Sequence, residues 1–194
     1  MLEIGGLHKI MKLQYKTYYL KEFTVDDVNK DYIEWLNNPE INKYLEAKYT
    51  VWSHLNATNY VQSFRNNRDK YLFGIYTLKD DKYIGNGSIS SVNYNTEVFE
   101  FALFVGDKTY WGKKVASEVT LLLLRFGFDN LKLRKVFGGA YSNQIASRFT
   151  LKKIGFIQEA ILKDKYMFEG EPIDHVIYSL DRFAWKKVKE KYFS

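Results

Sequence analysis

The chain has 194 residues, 46% of them hydrophobic, and 29 Lys and Arg against 23 Asp and Glu give a formal net charge of +6. This length buries one core and is short for two domains. No stretch approaches the roughly 20 apolar residues of a membrane-spanning helix, and the lack of cysteine excludes disulfides, thiolate metal ligands and a cysteine nucleophile. Basic and acidic residues are interspersed, so the surplus charge suits a phosphorylated small ligand better than nucleic acid or a membrane surface. No apolar leader with a small-residue cleavage site opens the chain, and a cytoplasmic address is expected.

Residues 1–12 (MLEIGGLHKIMK) show no period and read as an N-terminal extension, with Met11 an alternative start; residues 13–194 read as one domain. Leu13 to Phe23 is rich in β-favouring residues and reads as the first strand. Thr24 and Asp27 have the spacing of a capping box for a helix that carries Val28, Tyr32 and Trp35 on one face and stops before Pro39. A second short helix follows Thr50 and Ser53, with Ala57, Tyr60 or Val61, and Phe64 turned inward. A meander comes next: Tyr71–Leu78, a turn at Lys79–Lys82, Tyr83–Val92, a turn at Asn93–Asn95, and Glu97–Val105.

The stretch from Val105 to Phe128 organises the rest. Gly112 permits a tight turn, and Val115, Val119, Leu122 and Phe126 then recur at helical spacing, with Ala116, Leu123 and Leu124 widening the stripe. Lys113, Lys114, Glu118, Arg125 and Asp129 fall on the wet face of this helix. Its unpaired N-terminal amides, the helix dipole and the charges of Lys113 and Lys114 make a cradle for a pyrophosphate. A glycine and a pair of lysines at a helix start are also ordinary structural features. Leu133–Tyr141 reads as a further strand, and Ala146–Ile154 as a helix ended by Gly155. Phe156–Phe168 and Pro172–Leu180 read as a closing hairpin around Glu169-Gly170. Asp181 caps a last helix through Trp185, Val188 and Tyr192.

The segment TYWGKKVASE resembles the acetyl-CoA loop of the GNAT N-acetyltransferases, in particular the ribosomal-protein (RimJ/RimL-like) branch. Two positions depart from that pattern: Thr109 stands for a Gln or Arg, and Lys114 for a Gly or Ala. The order of elements over about residues 15 to 181 is also that of the family. The resemblance implies a single α/β (α+β) domain with a central, mostly antiparallel, twisted sheet flanked by helices. It implies acetyl-CoA as co-substrate, with the diphosphate held along Tyr110, Trp111, Gly112, Lys113, Lys114, Val115 and Ala116. Glu97–Val105 and Leu133–Tyr141 would be the strands that splay apart, and backbone groups of Phe104 and Val105 would bind the pantetheine arm as an added strand does.

Within VFEFALFVG, alternation sets Glu100 on the opposite face from Phe99 and Phe101. The family often has a glutamate here, which makes Glu100 the candidate base; a solvated, salt-bridged glutamate is the plainer alternative. The segment SNQIASRFTLKKIGF resembles the family's Asn-x-Ala-Ser…Gly-Phe run. It puts Gln144, beside Asn143, at the arm or leaving thiol and Ser147 against the carrier, although Ser142 or Asn143 would equally well cap a helix. Relatives often place a tyrosine four residues after the Ser147 position. Leu151 stands there instead, so protonation of the thiolate falls to Tyr141 or water, or is not needed.

Asp174 and His175 are expected near the acceptor. The run EWLNNPEINKYLEAKYT resembles both the amino-sugar N-acetyltransferases of pseudaminic acid synthesis and the ribosomal-protein branch, placing Trp35, Asn38, Tyr44, Lys48 and Tyr49 at the acceptor, with ordinary packing the plainer alternative, above all for Trp35. The expected reaction is acetyl transfer to a primary amine of a small molecule, a nucleotide-linked amino sugar first and a protein α-amine second. The protein would work as monomer or homodimer. No spacing of His, Asp or Glu suggests a metal. A non-catalytic acyl-CoA sensor would keep the cradle and need no base.

Overall fold

The computed structural model describes residues 12–65 and 67–193, so the expected extension at 1–12 lies, but for Lys12, outside the described residues. The run expected as one strand from Leu13 to Phe23 is instead a hairpin: Leu13–Tyr15 (β1) and Tyr18–Glu22 (β2) pair across Lys16 and Thr17. Lys16 takes a left-handed φ of 49°, which a lysine does not advertise in sequence. Thr24 and Asp27 do pair, the Thr24 amide donating to Asp27 Oδ2 at 2.8 Å. They close a short 3-10 turn, however, and helix Lys30–Asn37 (α1) starts after Asn29, whose side chain accepts the Tyr32 amide at 2.9 Å.

Pro39–Asn42 (α2), a 3-10 turn at Glu46–Tyr49 and His54–Gln62 (α3) follow. The meander forms as Tyr71–Thr77 (β3), Tyr83–Asn93 (β4) and Val98–Val105 (β5). Val115–Arg125 (α4) runs on through a π-turn at Phe126–Asn130. Lys135–Tyr141 (β6), Ile145–Ile154 (α5), Ile157–Phe168 (β7), Glu171–Asp181 (β8) and Arg182–Phe193 (α6) complete the described chain. No helix of the described residues is long and apolar enough to cross a membrane.

The strands form one eight-stranded sheet in the order β1-β2-β3-β4-β5-β6-β8-β7. Every neighbouring pair is antiparallel except β5 with β6. Alternation gives each face its own core. Ile75, Ile84, Ile89, Phe99 and Val136 pack with Val119, Leu122 and Leu123 of α4. Phe23, Val28, Tyr32, Leu36, Ala57, Val61 and Leu72 make a smaller cluster with α1 and α3. The inward residues of α1 are thus Tyr32 and Leu36, with Trp35 half-buried beside them.

The wet face expected of α4 needs correction. Glu118 is only 7% exposed and accepts the Thr17 amide at 2.9 Å, because the β1–β2 turn covers it. Asp129 is half-buried, taking the Trp185 indole N–H at 3.0 Å and Lys189 at 2.9 Å.

Helix α4 lies so close to β4 that a Cβ on Gly87 would stand 3.2 Å from Leu123 Cδ1. Leu123 is fully buried, and its truncation would leave a cavity the sheet cannot collapse into. Urea unfolding of Leu123→Ala is expected to show a stability loss of about 2–5 kcal/mol; a loss within 1 kcal/mol or so would mean that the contact is slack.

Candidate active site

Bulges aside, one pairing in the sheet stops short while both strands run on. β5 and β6 pair at Val98–Lys135, Phe99–Val136 and Glu100–Phe137, and then stop. Beyond that rung β5 stays with β4 up to Val105, and β6 stays with β8 up to Tyr141. A wedge opens between them, with backbone groups on β5 that have no strand to pair with. The alternation of the ladder is set by Gly106 N donating to Ile84 O at 2.9 Å and Arg134 N donating to Glu97 O at 2.8 Å. It turns Phe101, Leu103 and Val105 toward the wedge and Phe104 back to β4. The Phe104 backbone is therefore taken up by β4, and on the wedge side the Val105 carbonyl already accepts the Trp111 indole N–H at 2.9 Å.

At the wide end of the wedge β5 runs into the cradle. Asp107 accepts the Thr109 amide at 2.9 Å, and Lys113 N donates to Tyr110 O at 3.2 Å. Gly112 has φ +77°, and a Cβ there would meet nothing within 4 Å, so the bend faces open space. Lys114 is also left-handed, with φ 66°, a conformation that glycine takes more readily than lysine. No side chain caps α4, and the amides of Val115 and Ala116 find no backbone acceptor among the described residues. Those donors, the helix dipole, and Lys113 and Lys114, both exposed, fit a diphosphate.

On the α1 and α3 side of the wedge lies a cavity of about 530 Å³. Glu100, on the last paired rung, is exposed into it, and Glu46, Ser88, Tyr141, Tyr166 and His175 also line it. Aromatic rings crowd one wall. Tyr141 stacks on Tyr166 at 5.1 Å and meets Tyr44 edge-on at 5.7 Å, while Tyr44 stacks on Phe168 at 5.2 Å.

Burial pushes the Tyr141 phenol up against the opposing pull of Lys48, whose Nζ donates to Tyr141 Oη at 3.4 Å. Tyr166 is raised by burial and then by the charges of Glu46 and Glu100. His175 is lowered, chiefly by burial and then by Lys165, with Glu46 working against them.

Glu100, Tyr44, Tyr141, Gln144 and His175 thus meet at one cavity. Lys48 touches Tyr141 from the rim and also donates to Met167 O at 3.3 Å; Tyr49 is exposed, its hydroxyl on the same carbonyl at 3.4 Å. Three expected acceptor residues lie elsewhere. Trp35 packs on Tyr83 at 5.1 Å, and Asn38 caps α2 by accepting the Glu40 amide at 3.0 Å; both line a separate hollow beside Asp31 and Glu34. Asp174 pairs with Lys163 at 2.8 Å and accepts the Asp164 amide at 3.1 Å, holding an irregularity in β7.

Neither Ser142 nor Asn143 caps α5: the N-cap is Gln144, without a side-chain bond, while Asn143 is exposed and Ser147 half-buried in the first turn. Glu46 and Tyr166 escaped the sequence reading. Glu46 sits in a 3-10 turn that has no period, and Tyr166 follows a register shift after Leu162 that breaks the parity of β7.

The sequence profile of the acetyltransferase (GNAT) domain matches residues 18–157. The chain belongs to this family. As a GNAT acetyltransferase it is an enzyme, with acetyl-CoA as its acyl donor. It is 26% identical over 177 residues to the probable N-acetyltransferase YjcK of Bacillus subtilis (strain 168), covering 87% of this chain and 96% of that protein. Among solved structures, the spermidine N-acetyltransferase from Vibrio cholerae in complex with CoA and spermine superposes with a TM-score of 0.79 at 16% identity, over 87% of this chain and 98% of that one. A chain from the same organism described as a candidate ribosomal-protein-serine acetyltransferase superposes with a TM-score of 0.65 at 19% identity, over 88% and 97%. At these identities the two structures speak for the fold.

The lowered pKa of His175 has a sign that can be checked. The unfolded chain takes up this proton near pH 6.5, the folded chain only at lower pH. Stability is therefore undiminished above about pH 6.5 and falls as pH drops through that value toward the folded pKa. Urea melts at about pH 7.5 and 5.5 are expected to show a smaller acid-side loss for His175→Gln than for wild type; equal losses would place the imidazole in water.

Proposed function

We propose that this GNAT acetyltransferase moves the acetyl group of acetyl-CoA onto the primary amine of a small molecule seated in the cavity, with Glu100 as general base. The observation that carries the reading is the place of Glu100: it is the last rung before β5 and β6 part, and its carboxylate opens into the cavity.

The thioester supplies an activated acyl group, so the chain needs mainly to bind, orient and move protons. Amides from Gly112 to Ala116, with Lys113 and Lys114, hold the diphosphate. The wedge-facing backbone of Leu103 and Val105 takes the arm, and Gln144, Asn143 and Ser147 flank it at the start of α5. Fewer than roughly one in a thousand amines of pKa about 10.4 are neutral at pH 7, against over a tenth for an α-amine near 7.8. Glu100 removes the amine proton through a water. Tyr141 remains protonated. Full transfer of its proton to a thiolate of ordinary pKa near 8.5 would be at least about 2 kcal/mol uphill, so Tyr141 serves as a hydrogen-bond donor to the departing sulfur.

For the acceptor, Glu46 and Glu100 face the cavity and neither forms an ion pair among the described residues. Two uncompensated carboxylates beside tyrosine rings favour a cationic amine, the class to which the spermine in the Vibrio cholerae complex belongs. The nucleotide-linked amino sugar keeps the support of one cation, Lys48, over the rings of Tyr49 and Tyr141, but loses Trp35 and Asn38. The protein α-amine stays as a third acceptor to be tried.

Release of coenzyme A from acetyl-CoA is the test, read against diamines and polyamines, UDP- and TDP-amino sugars, N-terminal peptides and aminoglycosides. Turnover is expected first with the cationic small amines; turnover with the nucleotide sugars alone would overturn that choice. Glu100→Gln should lower kcat/KM by about 10²- to 10⁴-fold and leave the dissociation constant of coenzyme A unchanged. Retained activity would move the base elsewhere.

A further inference from the structure

The back of the cradle is built by the β1–β2 hairpin. Tyr18, the first residue of β2, is 1% exposed and its hydroxyl donates to the carbonyl of Lys113 at 3.1 Å. In a planar trans peptide the carbonyl of one residue and the N–H of the next point in opposite directions. Fixing the Lys113 carbonyl inward therefore turns the Lys114 N–H outward, toward the open side of the Gly112 bend. Lys114 needs such a restraint, because a lysine at φ 66° lacks the freedom of glycine.

A second tie lies one residue earlier. The Thr17 amide donates to Glu118 Oε2 at 2.9 Å, pinning the hairpin turn to the first turn of α4 through a buried carboxylate. Tyr110, at the other end of the bend, meets Tyr18 edge-on at 6.5 Å.

We propose that Tyr18 is a positioning residue for the acyl donor: its hydroxyl holds the Lys113–Lys114 peptide so that the Lys114 amide faces the diphosphate. This rests on the cradle of the preceding section. Burial, then Glu118 and Tyr110, push the Tyr18 phenol up, so it is a donor at every pH of interest.

The test uses two donors, acetyl-CoA and S-acetylpantetheine, which carries the same thioester and arm without a diphosphate. Tyr18→Phe keeps the buried ring and removes only the hydroxyl. It is expected to lower kcat/KM for acetyl-CoA by about 3- to 10-fold, the scale of one hydrogen bond, through KM. The KM of the amine and the rate with S-acetylpantetheine should be unchanged. Glu118→Gln, which weakens the neighbouring tie, should show the same split at smaller size and provides the measurement if Tyr18→Phe does not fold. Equal losses with both donors, or none with acetyl-CoA, would overturn the inference. Wild-type enzyme that uses both donors equally well would instead remove the cradle itself, and the inference with it.

Discussion

The rest of the site depends on a pairing that fails. A parallel ladder begins between β5 and β6 and ends at Glu100 and Phe137, although both strands continue. The next residues on β6 are Gly138 and Gly139, and the space their side chains would fill is taken. A Cβ on Gly138 would stand 2.8 Å from the Phe101 ring, and one on Gly139 would stand 2.1 Å from the His175 imidazole. Aromatic side chains thus occupy the place where a fuller strand would pack, and the exposed backbone of β5 is left for a ligand. Unpaired backbone groups are costly inside a protein, so an opening of this kind persists where something else satisfies them.

The other parts follow from where this opening lies. β5 delivers the chain to the Gly112 bend, and α4 carries the bend's free amides on a helix buried along its length. Charge is divided between the two ends. Lysines stand exposed at the bend and carboxylates line the cavity, the division on which the proposed reaction draws. The net charge of +6 says nothing of this division; only the placement of Lys113, Lys114, Glu46 and Glu100 does.

Much of this was legible in the sequence. The order of elements after the first hairpin, the meander, the bend at Gly112 ahead of α4 and the placement of Glu100 opposite Phe99 follow from period and turn chemistry, which are local. What could not be read depended on contacts far along the chain or on unusual backbone. The hairpin at Lys16 and Thr17 looked like one strand because lysine seldom takes positive φ. Glu118 looked wet because the residue that covers it is about a hundred positions earlier. Asp174 looked like an acceptor contact, yet it holds a bulge that no parity rule foresees. Trp35 and Asn38 were placed by likeness of a short run, which fixes residue types and not which way a helix and its turn face.

His175 stands where it does because Gly139, across the β6–β8 ladder, has no side chain. One wall of the cavity is therefore set by one missing methyl group. Adding it would force the imidazole to move at the edge of a space of about 530 Å³, some distance along β6 from the Gly112 bend. A single codon can in this way act as a gauge for the size of molecule admitted.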